Sequence, residues 1–311
     1  MSLMVKDAPP GNSGGIRIQN TKRYRKADRR MAWILVAPVL VVIVAVNLAP
    51  MLYSIGLSFF RWNLAQAYIP PKFVGLGNFV RLFTADAQFV GALLNTFLLM
   101  FGVVTIQAIL GMAIAILLNQ KLVGTRVITA LLLIPMSISP TIVGFLFQVL
   151  FNDSLGPINF LIRRIGLKAP LWISSSSTAL MSVGLVDIWQ WTPFLVVLFL
   201  AGLRSLPIEP FEAATVDGAS NWQKFYYLTL PLLKQVIGIS IILRMMDIFK
   251  MFDLVYLLTF GGPGTSSQTL SFYGFRIGIH LFQVGYAASI SFVMVQIFIF
   301  LIVIYFRLIR D

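Results

Sequence analysis

Residues 210–220 read PFEAATVDGAS and form a short polar stretch between two long apolar segments of the chain. Pro210 suits the first turn of a helix, because its missing N–H would have no partner there. Glu212 then places a negative charge near the positive end of the helix dipole. Ala213 and Ala214 are small and favour helix, so that another surface can come close. The stretch therefore predicts a short helix outside the lipid.

Gly218 is expected either to interrupt this helix or to let another backbone approach, because glycine has no side chain and tolerates backbone angles that other residues avoid. A second helical run is expected over residues 222–230, with Pro231 breaking it. A short helix, a bend and a second helix leading into the membrane indicate a docking element. An ordinary cytoplasmic loop with a solvated helix fits the same residues, and composition alone does not separate the two.

The same residues carry a resemblance to a known family. The pattern Glu-Ala-Ala-x-x-x-Gly ends at Gly218 and is followed by a Leu-Pro pair twelve residues on. It resembles the EAA loop of binding-protein-dependent ABC transporter permeases. The resemblance implies that residues 204–234 form a cytoplasmic coupling loop, which sits in a groove of a separate ATP-binding subunit. The implied ATPase-coupling residues are Glu212, Ala213, Ala214, Asp217, Gly218 and Ala219.

The composition is typical of an integral membrane protein. Of the 311 residues 58% are hydrophobic and 11% are charged, and the mean hydropathy is +0.88. A soluble domain usually carries about 25% charged residues. The net charge of +13 is compatible with nucleic-acid binding. Accumulation of Lys and Arg on the cytoplasmic flanks of membrane spans explains it better, so we expect no nucleic acid among the partners.

Several kinds of chemistry are excluded by what the chain lacks. It has no cysteine and a single histidine, His280, which argues against disulfides, thiolate metal sites and histidine-based triads. It has no Gly-Lys-Ser/Thr phosphate-binding loop, so any ATP hydrolysis belongs to another subunit. We therefore expect no catalytic residue, no metal and no cofactor in this chain, with ATP and Mg²⁺ bound by a partner ATPase.

About six apolar runs are long enough to cross a membrane. They cover residues 31–60, 89–118, 126–151, 178–203, 235–260 and 285–308. Residues 1–30 are predicted to form a disordered basic cytoplasmic tail, and 31–311 the transmembrane permease domain. The fold that the resemblance implies is all-α and integral to the membrane: the transmembrane fold of type I ABC importers.

The third run is expected to be kinked at Pro135 and Pro140, either lining a cavity or merely packing.

The distribution of Lys and Arg predicts the orientation of the runs in the membrane. With the N-terminus inside, the cytoplasmic segments hold 15 Lys and Arg and the outer segments seven. This bias predicts a multi-pass protein of the bacterial inner membrane with both termini in the cytoplasm. It also places Glu212 inside, on the side of an ATPase.

The fifth run contains four charged residues at intervals of three, namely Arg244, Asp247, Lys250 and Asp253. Charges within a span usually face a partner, water or a substrate. These four either neutralise one another along one helix face or contact solute. Residues 249–253 and the turn LTFGGPG at 258–264 resemble carbohydrate permeases of the maltose type. There, residues just before this turn help to line the translocation path.

On that resemblance, Asp247, Lys250 and Met251 are candidate solute-binding residues. Gln190 and Trp191 of the fourth run are further candidates, because tryptophan faces stack on the C–H surfaces of sugars. A position in the interfacial aromatic belt is the simpler explanation for the neighbouring Trp189.

The motifs identify a permease subunit of an ATP-driven importer for a carbohydrate or related polyol. The implied partners are a second permease subunit, two ATP-binding subunits, an extracytoplasmic solute-binding protein and membrane lipid. The alternative is an ion-coupled secondary transporter that uses Asp247 and Asp253, although the chain has no clear internal repeat to support it. A membrane enzyme is a third possibility, against which the lack of a histidine or cysteine constellation argues.

Overall fold

The computed structural model describes residues 19–66, 68–120 and 124–310, which fold almost entirely into helices. The helices are α1 Gln19–Ile43, α2 Ala49–Leu57, α3 Gly77–Thr84, α4 Ala87–Asn119, α5 Thr125–Ser137, α6 Pro140–Leu150, α7 Pro157–Arg164, α8 Ala179–Arg204, α9 Glu209–Val216, α10 Asn221–Lys224, α11 Leu230–Phe249, α12 Asp253–Leu258, α13 Leu270–Phe275 and α14 Val284–Arg310. π-Helical turns lie at Val44–Leu48, Phe225–Thr229 and Arg276–His280, a 3₁₀ turn at Leu64–Gln66, and short strands at Phe60–Arg61 (β1) and Lys72–Phe73 (β2). The all-α membrane fold is confirmed.

The N-terminal end differs from the sequence-based expectation. Residues 1–18 of the predicted tail lie outside the described residues. Helix α1 begins at Gln19, twelve residues before the predicted start of the first span at Met31. The basic segment is rich in Arg and Lys, which favour helix, so it extends the apolar helix without a break. The chain divides after Tyr53 into two compact units, and α1 belongs to the first.

Four helical segments among the described residues are long and apolar enough to cross a membrane. They are Met31–Leu57, Ala87–Asn119, Ala179–Arg204 and Val284–Tyr305. The bent pair of α5 and α6 raises the count to five if it forms one span. The sequence predicted about six, and the remaining one corresponds to α11. This helix has 20 residues but includes Lys234, Arg244 and Asp247, and it ends at Phe249 instead of continuing to Phe260.

The third predicted span is broken more sharply than a proline kink. Helices α5 and α6 meet at 91° across the residues between Ser137 and Pro140. Pro140 stands in the first turn of α6, and the preceding Ser139 has the extended ψ of 136° that a following proline favours. The Gln190 side-chain amide donates to the carbonyl of Ile138 at 2.8 Å. The break therefore has a partner for one of the carbonyls that leave the helical ladder.

Pro231 does not break the helix, contrary to the sequence-based prediction. It stands in the first turn of α11, directly after the π-helical turn Phe225–Thr229, whose closing bond joins the Leu230 N–H to the Phe225 carbonyl. The wider i→i+5 turn leaves room for the proline ring, which would clash with a carbonyl in a regular α-helix. Pro50 follows the π-helical turn Val44–Leu48 in the same way.

Helices α4 and α8 pack together at the centre of the second unit. Glycine marks two points of close approach between them. A Cβ added to Gly111 would lie 3.0 Å from the Leu195 Cβ, and one added to Gly184 would lie 3.0 Å from the Val103 Cγ2. Small residues at such points let membrane helices approach closely. Buried apolar side chains form a larger cluster towards the Ala87 end of α4 and a smaller one towards its Asn119 end.

A short hairpin covers the end of the second unit near the start of α4. β1 and β2 are antiparallel, with Arg61 opposite Lys72. The Asn78 side chain in the first turn of α3 donates to the carbonyls of Ser58 and Phe60 at 2.8 and 3.0 Å. These bonds fix the backbone of the hairpin to α3, so that Arg61 and Lys72 project from a defined backbone.

Candidate functional site

The predicted coupling helix is present as α9. Pro210 stands in its first turn, where Glu209 and Glu212 place two negative charges at the positive end of the helix dipole. No residue of α9 is buried. Phe211 lines a cavity together with Asn119, the last residue of α4. The helix therefore lies at one end of the second unit, with its surface open.

Gly218 ends this helix in a Schellman motif. Its φ of +77° lies in the left-handed region that favours glycine. The Gly218 N–H donates to the Thr215 carbonyl at 3.1 Å, and the Ala219 N–H donates to the Ala214 carbonyl at 2.9 Å. These two bonds satisfy the last carbonyls of the helix. The glycine of the motif is thus required by the backbone, and the predicted interruption at this position is confirmed.

A capping box begins the next helix immediately. The Ser220 hydroxyl accepts from the Gln223 N–H at 3.3 Å, and the Gln223 side chain accepts from the Ser220 N–H at 2.7 Å. The Lys224 ammonium donates to the Thr215 hydroxyl at 2.8 Å, which joins α10 to α9 across the bend. Since α10 continues through the π-helical turn into α11, a displacement of α9 is connected to α11 by hydrogen-bonded structure.

The six predicted coupling residues lie on an accessible surface. Glu212, Ala213, Asp217 and Gly218 are exposed, and Ala214 and Ala219 are half-buried. Around them stand large apolar side chains that are exposed as well, namely Ile208 at 67%, Val216 at 88% and Trp222 at 72%. Exposed apolar side chains grouped in this way indicate a surface that contacts another protein or the membrane.

A groove of about 980 Å³ opens beside this loop. Its walls are largely apolar and come from the end of α4, the end of α8 and the coupling loop, with Met112, Phe199, Phe211, Trp222 and Phe225 among them. Phe211 is the residue of α9 that lines this groove.

A second cluster of functional interest lies inside the bundle, around Arg244 of α11. This side chain is 1% exposed. Its Nη2 contacts the Asp187 Oδ1 of α8 at 2.6 Å, and its Nε donates to the Gln107 Oε1 of α4 at 3.1 Å. The Gln107 amide donates in turn to Asp187 Oδ1 at 2.8 Å. Three helices are therefore joined by one polar network, which compensates the buried charge.

Asp247 and Lys250 extend this network towards an accessible surface. The Asp247 Oδ2 lies 3.5 Å from the Arg244 Nη1, and the Asp247 Oδ1 lies 3.0 Å from the Lys250 Nζ. The side chain of Asp247 is 42% exposed and that of Lys250 is 71% exposed. The ladder predicted from the sequence is thus present over these three residues. Asp253 is not part of it, because α11 ends at Phe249 and Asp253 starts the separate helix α12.

The other candidate solute-binding residues differ in accessibility. Trp191 is half-buried, and the Arg244 guanidinium lies 5.1 Å from the centre of its ring. Gln190 is 1% exposed, and its amide is used to hold the Ile138 carbonyl. Met251 is buried in the larger apolar cluster. Trp191, Asp247 and Lys250 are thus at least partly exposed, whereas Gln190 supports the helix break and Met251 packs in the apolar cluster.

Asp86 stands directly before α4, at the end of this helix that is opposite the loop 204–234, and it connects three helices. It caps α4 by accepting from the Phe89 N–H at 2.9 Å, and its other oxygen accepts from the hydroxyls of Tyr273 and Tyr286. Burial alone would raise the pKa of the Asp86 carboxyl. These hydrogen bonds, with Arg81 nearby, outweigh burial and hold the pKa below its ordinary value of 3.8. The ionised carboxylate therefore links α4, α13 and α14 through hydrogen bonds.

Residues 107–310 match the family described as the inner membrane component of binding-protein-dependent transport systems. The chain belongs to this family. The match contains residues 204–234, the Arg244 network, which joins α4, α8 and α11, and the glycine-rich turn at 258–264. The chain is thus a transport permease of the inner membrane, and the resemblance seen in residues 210–220 is confirmed.

Relatives of this permease cover nearly its whole length. The trehalose/maltose transport system permease protein MalF of Thermococcus litoralis is 32% identical over 281 residues, covering 89% of this chain and 94% of the relative. The sulfoquinovosyl glycerol transport system permease protein SmoG of Agrobacterium fabrum is 31% identical over 283 residues, covering 91% of each. The trehalose transport system permease protein SugA of Mycobacterium tuberculosis is 32% identical over 283 residues, covering 88% of this chain and 90% of the relative.

Two solved structures share the permease fold. One is a bacterial ABC transporter involved in the import of the acidic polysaccharide alginate, with a TM-score of 0.79 at 22% identity, covering 93% of this chain and 98% of that one. The other is a bacterial alginate ABC transporter in complex with an alginate pentasaccharide-bound periplasmic protein. It has a TM-score of 0.76 at 22% identity, covering 90% and 94%. At this identity the likeness establishes the fold.

Sequence reasoning about the permease missed Gln107 and Asp86. Gln107 is the polar residue of an otherwise apolar stretch of α4, and this isolation within a span was the available signal. Asp86 stands just before the same span, where an N-cap is expected. Its two tyrosine partners are 187 and 200 residues away along the chain, so only the folded structure identifies them.

Proposed function

We propose that this permease is one membrane subunit of an ATP-driven importer, which translocates a carbohydrate or related polyol delivered by an extracytoplasmic binding protein. Residues 31–311 are its transmembrane domain, with residues 204–234 as the coupling loop on the cytoplasmic side. A second permease completes the pore, and two separate ATP-binding subunits hydrolyse ATP. Closure of those subunits around ATP moves α9, and the paired permeases change from inward-open to outward-open.

The observation that carries this proposal is the geometry of the coupling loop. Helix α9 is short, exposed and ended by a Schellman motif at Gly218. It is hydrogen-bonded through Lys224 to α10, which continues into α11. An exposed helix that is connected through a hydrogen bond and a short bend to a helix of the bundle is suited to transmit a push. An ion-coupled transporter has no use for such an element, so the geometry favours the ATP-driven mechanism.

The substrate class is supported by the relatives and by the accessible side of the Arg244 network. The names of the relatives contain trehalose, maltose and sulfoquinovosyl glycerol, which are sugars or sugar derivatives. Trp191 offers an aromatic face, and Asp247 and Lys250 offer hydrogen-bonding groups near it. An aromatic face with a few polar groups is the usual arrangement for binding a sugar, and we assign these three residues to the solute path.

The coupling assignment is tested by a charge reversal at Glu212. In the assembled transporter, Glu212→Lys is expected to lower ATP-dependent solute uptake at least tenfold, because the altered helix no longer fits the ATPase groove. The matched control is Glu209→Lys, which reverses a charge in the same helical turn outside the motif. It is expected to keep most of the uptake. Co-purification measures whether the ATPase remains bound to each variant.

A backbone test uses Gly218, where a side chain would meet no atom within 4 Å. Valine at this left-handed position introduces strain of about 1–2 kcal/mol, whereas asparagine tolerates it. Gly218→Val is therefore expected to lose uptake and Gly218→Asn to retain it. Uptake that survives both Glu212→Lys and Gly218→Val, but collapses when the proton gradient is dissipated, would contradict the proposal and support the secondary transporter.

A further inference from the structure

A cavity of about 560 Å³ lies at the hairpin end of the second unit, opposite the coupling loop along α4. Three cations line it: Arg61 of β1, Lys72 of β2 and Arg81 of α3. Trp62, Gln66 and Gln283 contribute an aromatic ring and two amides to its walls. No lining residue within the described part of the chain is acidic. We refer to this cavity as the cationic pocket.

The hairpin places two of the cations against each other. Arg61 and Lys72 are directly opposite in the ladder of β1 and β2. Like charges in directly opposite positions destabilise a pair of strands. Since the Asn78 side chain also fixes this hairpin to α3, the repulsion is built into the local fold. An anion between the two side chains would relieve it.

The protein's own carboxylates compensate this charge only in part. Over the described ranges, none of the three cations forms an ion pair; the ion pairs there involve Arg244 and Lys250 instead. Arg81 lies over the ring of Tyr286, with 4.3 Å between its Cζ and the ring centre. The charge of Asp86 acts on Arg81, but its carboxylate is engaged by the hydroxyls of Tyr273 and Tyr286. The residues that line the pocket therefore carry a net positive charge.

The position of the pocket relative to the membrane spans suggests the occupant. One span ends at Leu57, four residues before Arg61, and the next begins at Ala87, six residues after Arg81. The three cations thus stand in the headgroup layer, where Trp and Tyr also concentrate. Beside the pocket, Tyr68 and Phe73 are 83% and 66% exposed. A cationic cavity next to exposed apolar side chains matches the two parts of a phospholipid.

We propose that the cationic pocket binds the phosphate headgroup of an anionic phospholipid, whose acyl chains lie along the exposed apolar side chains of the hairpin. Arg61 and Lys72 hold the phosphate oxygens from the two strands, and Arg81 closes the site from α3. The bound lipid would neutralise the repulsion between the strands and so stabilise this end of the permease. This inference does not depend on which solute is carried.

The test measures lipid retention by the assembled transporter with native mass spectrometry, after delipidation in detergent and titration with phosphatidylglycerol or phosphatidylcholine. Wild type is expected to retain phosphatidylglycerol preferentially. The triple variant R61Q/K72Q/R81Q is expected to bind it on the order of 100-fold more weakly, at about fivefold for each cation near the membrane surface. The control R163Q/R164Q/K168Q removes the same charge from the segment around α7 and is expected to bind as wild type does.

A second measurement covers the case in which the triple variant does not assemble. Because Lys72 opposes Arg61, the single change Lys72→Gln is expected to raise the thermal stability of the delipidated protein. It is also expected to reduce the further stabilisation by phosphatidylglycerol. Equal retention of both lipids, unchanged retention in the triple variant, or displacement of phosphatidylglycerol by soluble glycerol phosphate would overturn the proposal. Loss of binding-protein-stimulated ATP hydrolysis with unchanged lipid retention would also overturn it, since the pocket would then be a protein-docking surface.

Discussion

Arg244 shows how a full charge is maintained inside the bundle. Its guanidinium is in contact with the carboxylate of Asp187, the side-chain oxygen of Gln107 and the ring of Trp191. A buried ion pair contributes little net stability, since desolvation opposes the attraction, but removal of one partner leaves the other charge uncompensated. Gln107 lies on α4, and Asp187 and Trp191 lie on α8. The network around Arg244 therefore also fixes the positions of α4 and α8 relative to α11.

We predict that Arg244→Ala lowers the stability of the permease by about 3–5 kcal/mol, because Asp187 is left as an unpaired buried carboxylate. Thermal unfolding of the purified protein in detergent measures the loss. The double change Arg244→Gln with Asp187→Asn is expected to recover much of it, since no buried charge remains. Lys250→Gln is the control, because the Lys250 side chain is largely exposed and its pairing is worth about 1 kcal/mol at most. Equal losses in Arg244→Ala and Lys250→Gln would contradict this account.

Asp86 leads to a prediction about acid. Its folded-state pKa lies below the ordinary 3.8, so its stabilising effect is fully present above that value and is lost as the pH falls through the folded-state pKa. Wild type is therefore expected to exceed Asp86→Asn in stability by about 1.5–3 kcal/mol at neutral pH, the magnitude of hydrogen bonds to a charged group. The difference is expected to shrink below pH 3.8.

Unfolding temperatures of the two proteins across this pH range measure the effect. Tyr273→Phe removes one of the two hydroxyl donors. In this background, the difference in stability between the protein with Asp86 and the protein with Asp86→Asn is expected to be smaller at neutral pH. A difference that stays constant down to pH 2 would show that the carboxylate charge does not hold α4, α13 and α14 together.

At the scale of elements, the breaks in the helices matter as much as the helices. Helices α6 and α12 both lie next to such breaks, and they pack directly on each other. Gly144 of α6 lies at a close contact between them, where an added Cβ would lie 2.7 Å from the Leu257 Cβ. Real Cβ atoms do not come so close, so the two short helices can pack this way because residue 144 is glycine.

We predict that Gly144→Ala destabilises the permease by about 1–3 kcal/mol, because the overpacked contact forces α6 and α12 apart. Gly102→Ala is the matched control. Gly102 also lies within a helix, but an added Cβ there meets no atom within 4 Å. That change is expected to be neutral or to stabilise by up to about 1 kcal/mol through helix propensity. Similar unfolding temperatures for both variants would argue against a tight contact between α6 and α12.

The two surfaces to which we assign functions lie at opposite ends of the second unit. The coupling loop lies beside the Asn119 end of α4 and the hairpin beside its Ala87 end, and the 33 residues between them extend over roughly 50 Å. This length exceeds the hydrocarbon thickness of a membrane. The two ends therefore face opposite sides, and the excess of Lys and Arg in the cytoplasmic segments predicts which is which.

The orientation is tested with single cysteines, because the chain has none of its own. Tyr68 and Val216 are similarly exposed, at 83% and 88%. In intact spheroplasts, Tyr68→Cys is expected to react with a membrane-impermeant maleimide. Val216→Cys is expected to react only after the membrane has been permeabilised. Labelling of Val216→Cys in sealed cells would put the coupling loop outside and rule out contact with a cytoplasmic ATPase.

Much of the architecture was predictable from local pattern. Long apolar runs located α4, α8 and α14 to within a few residues, and the motif around Glu212 located α9. The predictions that depended on proline were less reliable. Pro140 separates two helices at 91°, whereas Pro231 stands inside a continuous one. The difference comes from the preceding turn, whose π-helical spacing the sequence does not reveal.

The sequence by itself determined that the chain spans a membrane, that it contains no Gly-Lys-Ser/Thr phosphate-binding loop, and that a short polar helix lies between two apolar segments. These properties follow from composition and from residues close together in the chain. Only the tertiary structure decided which charges are paired. Gln107, Asp187 and Arg244 meet across separations of 57 to 137 residues, as do Asp86 and its tyrosines across longer ones. Helical periodicity reports only one helix at a time, whereas a buried charge needs partners that packing brings from several.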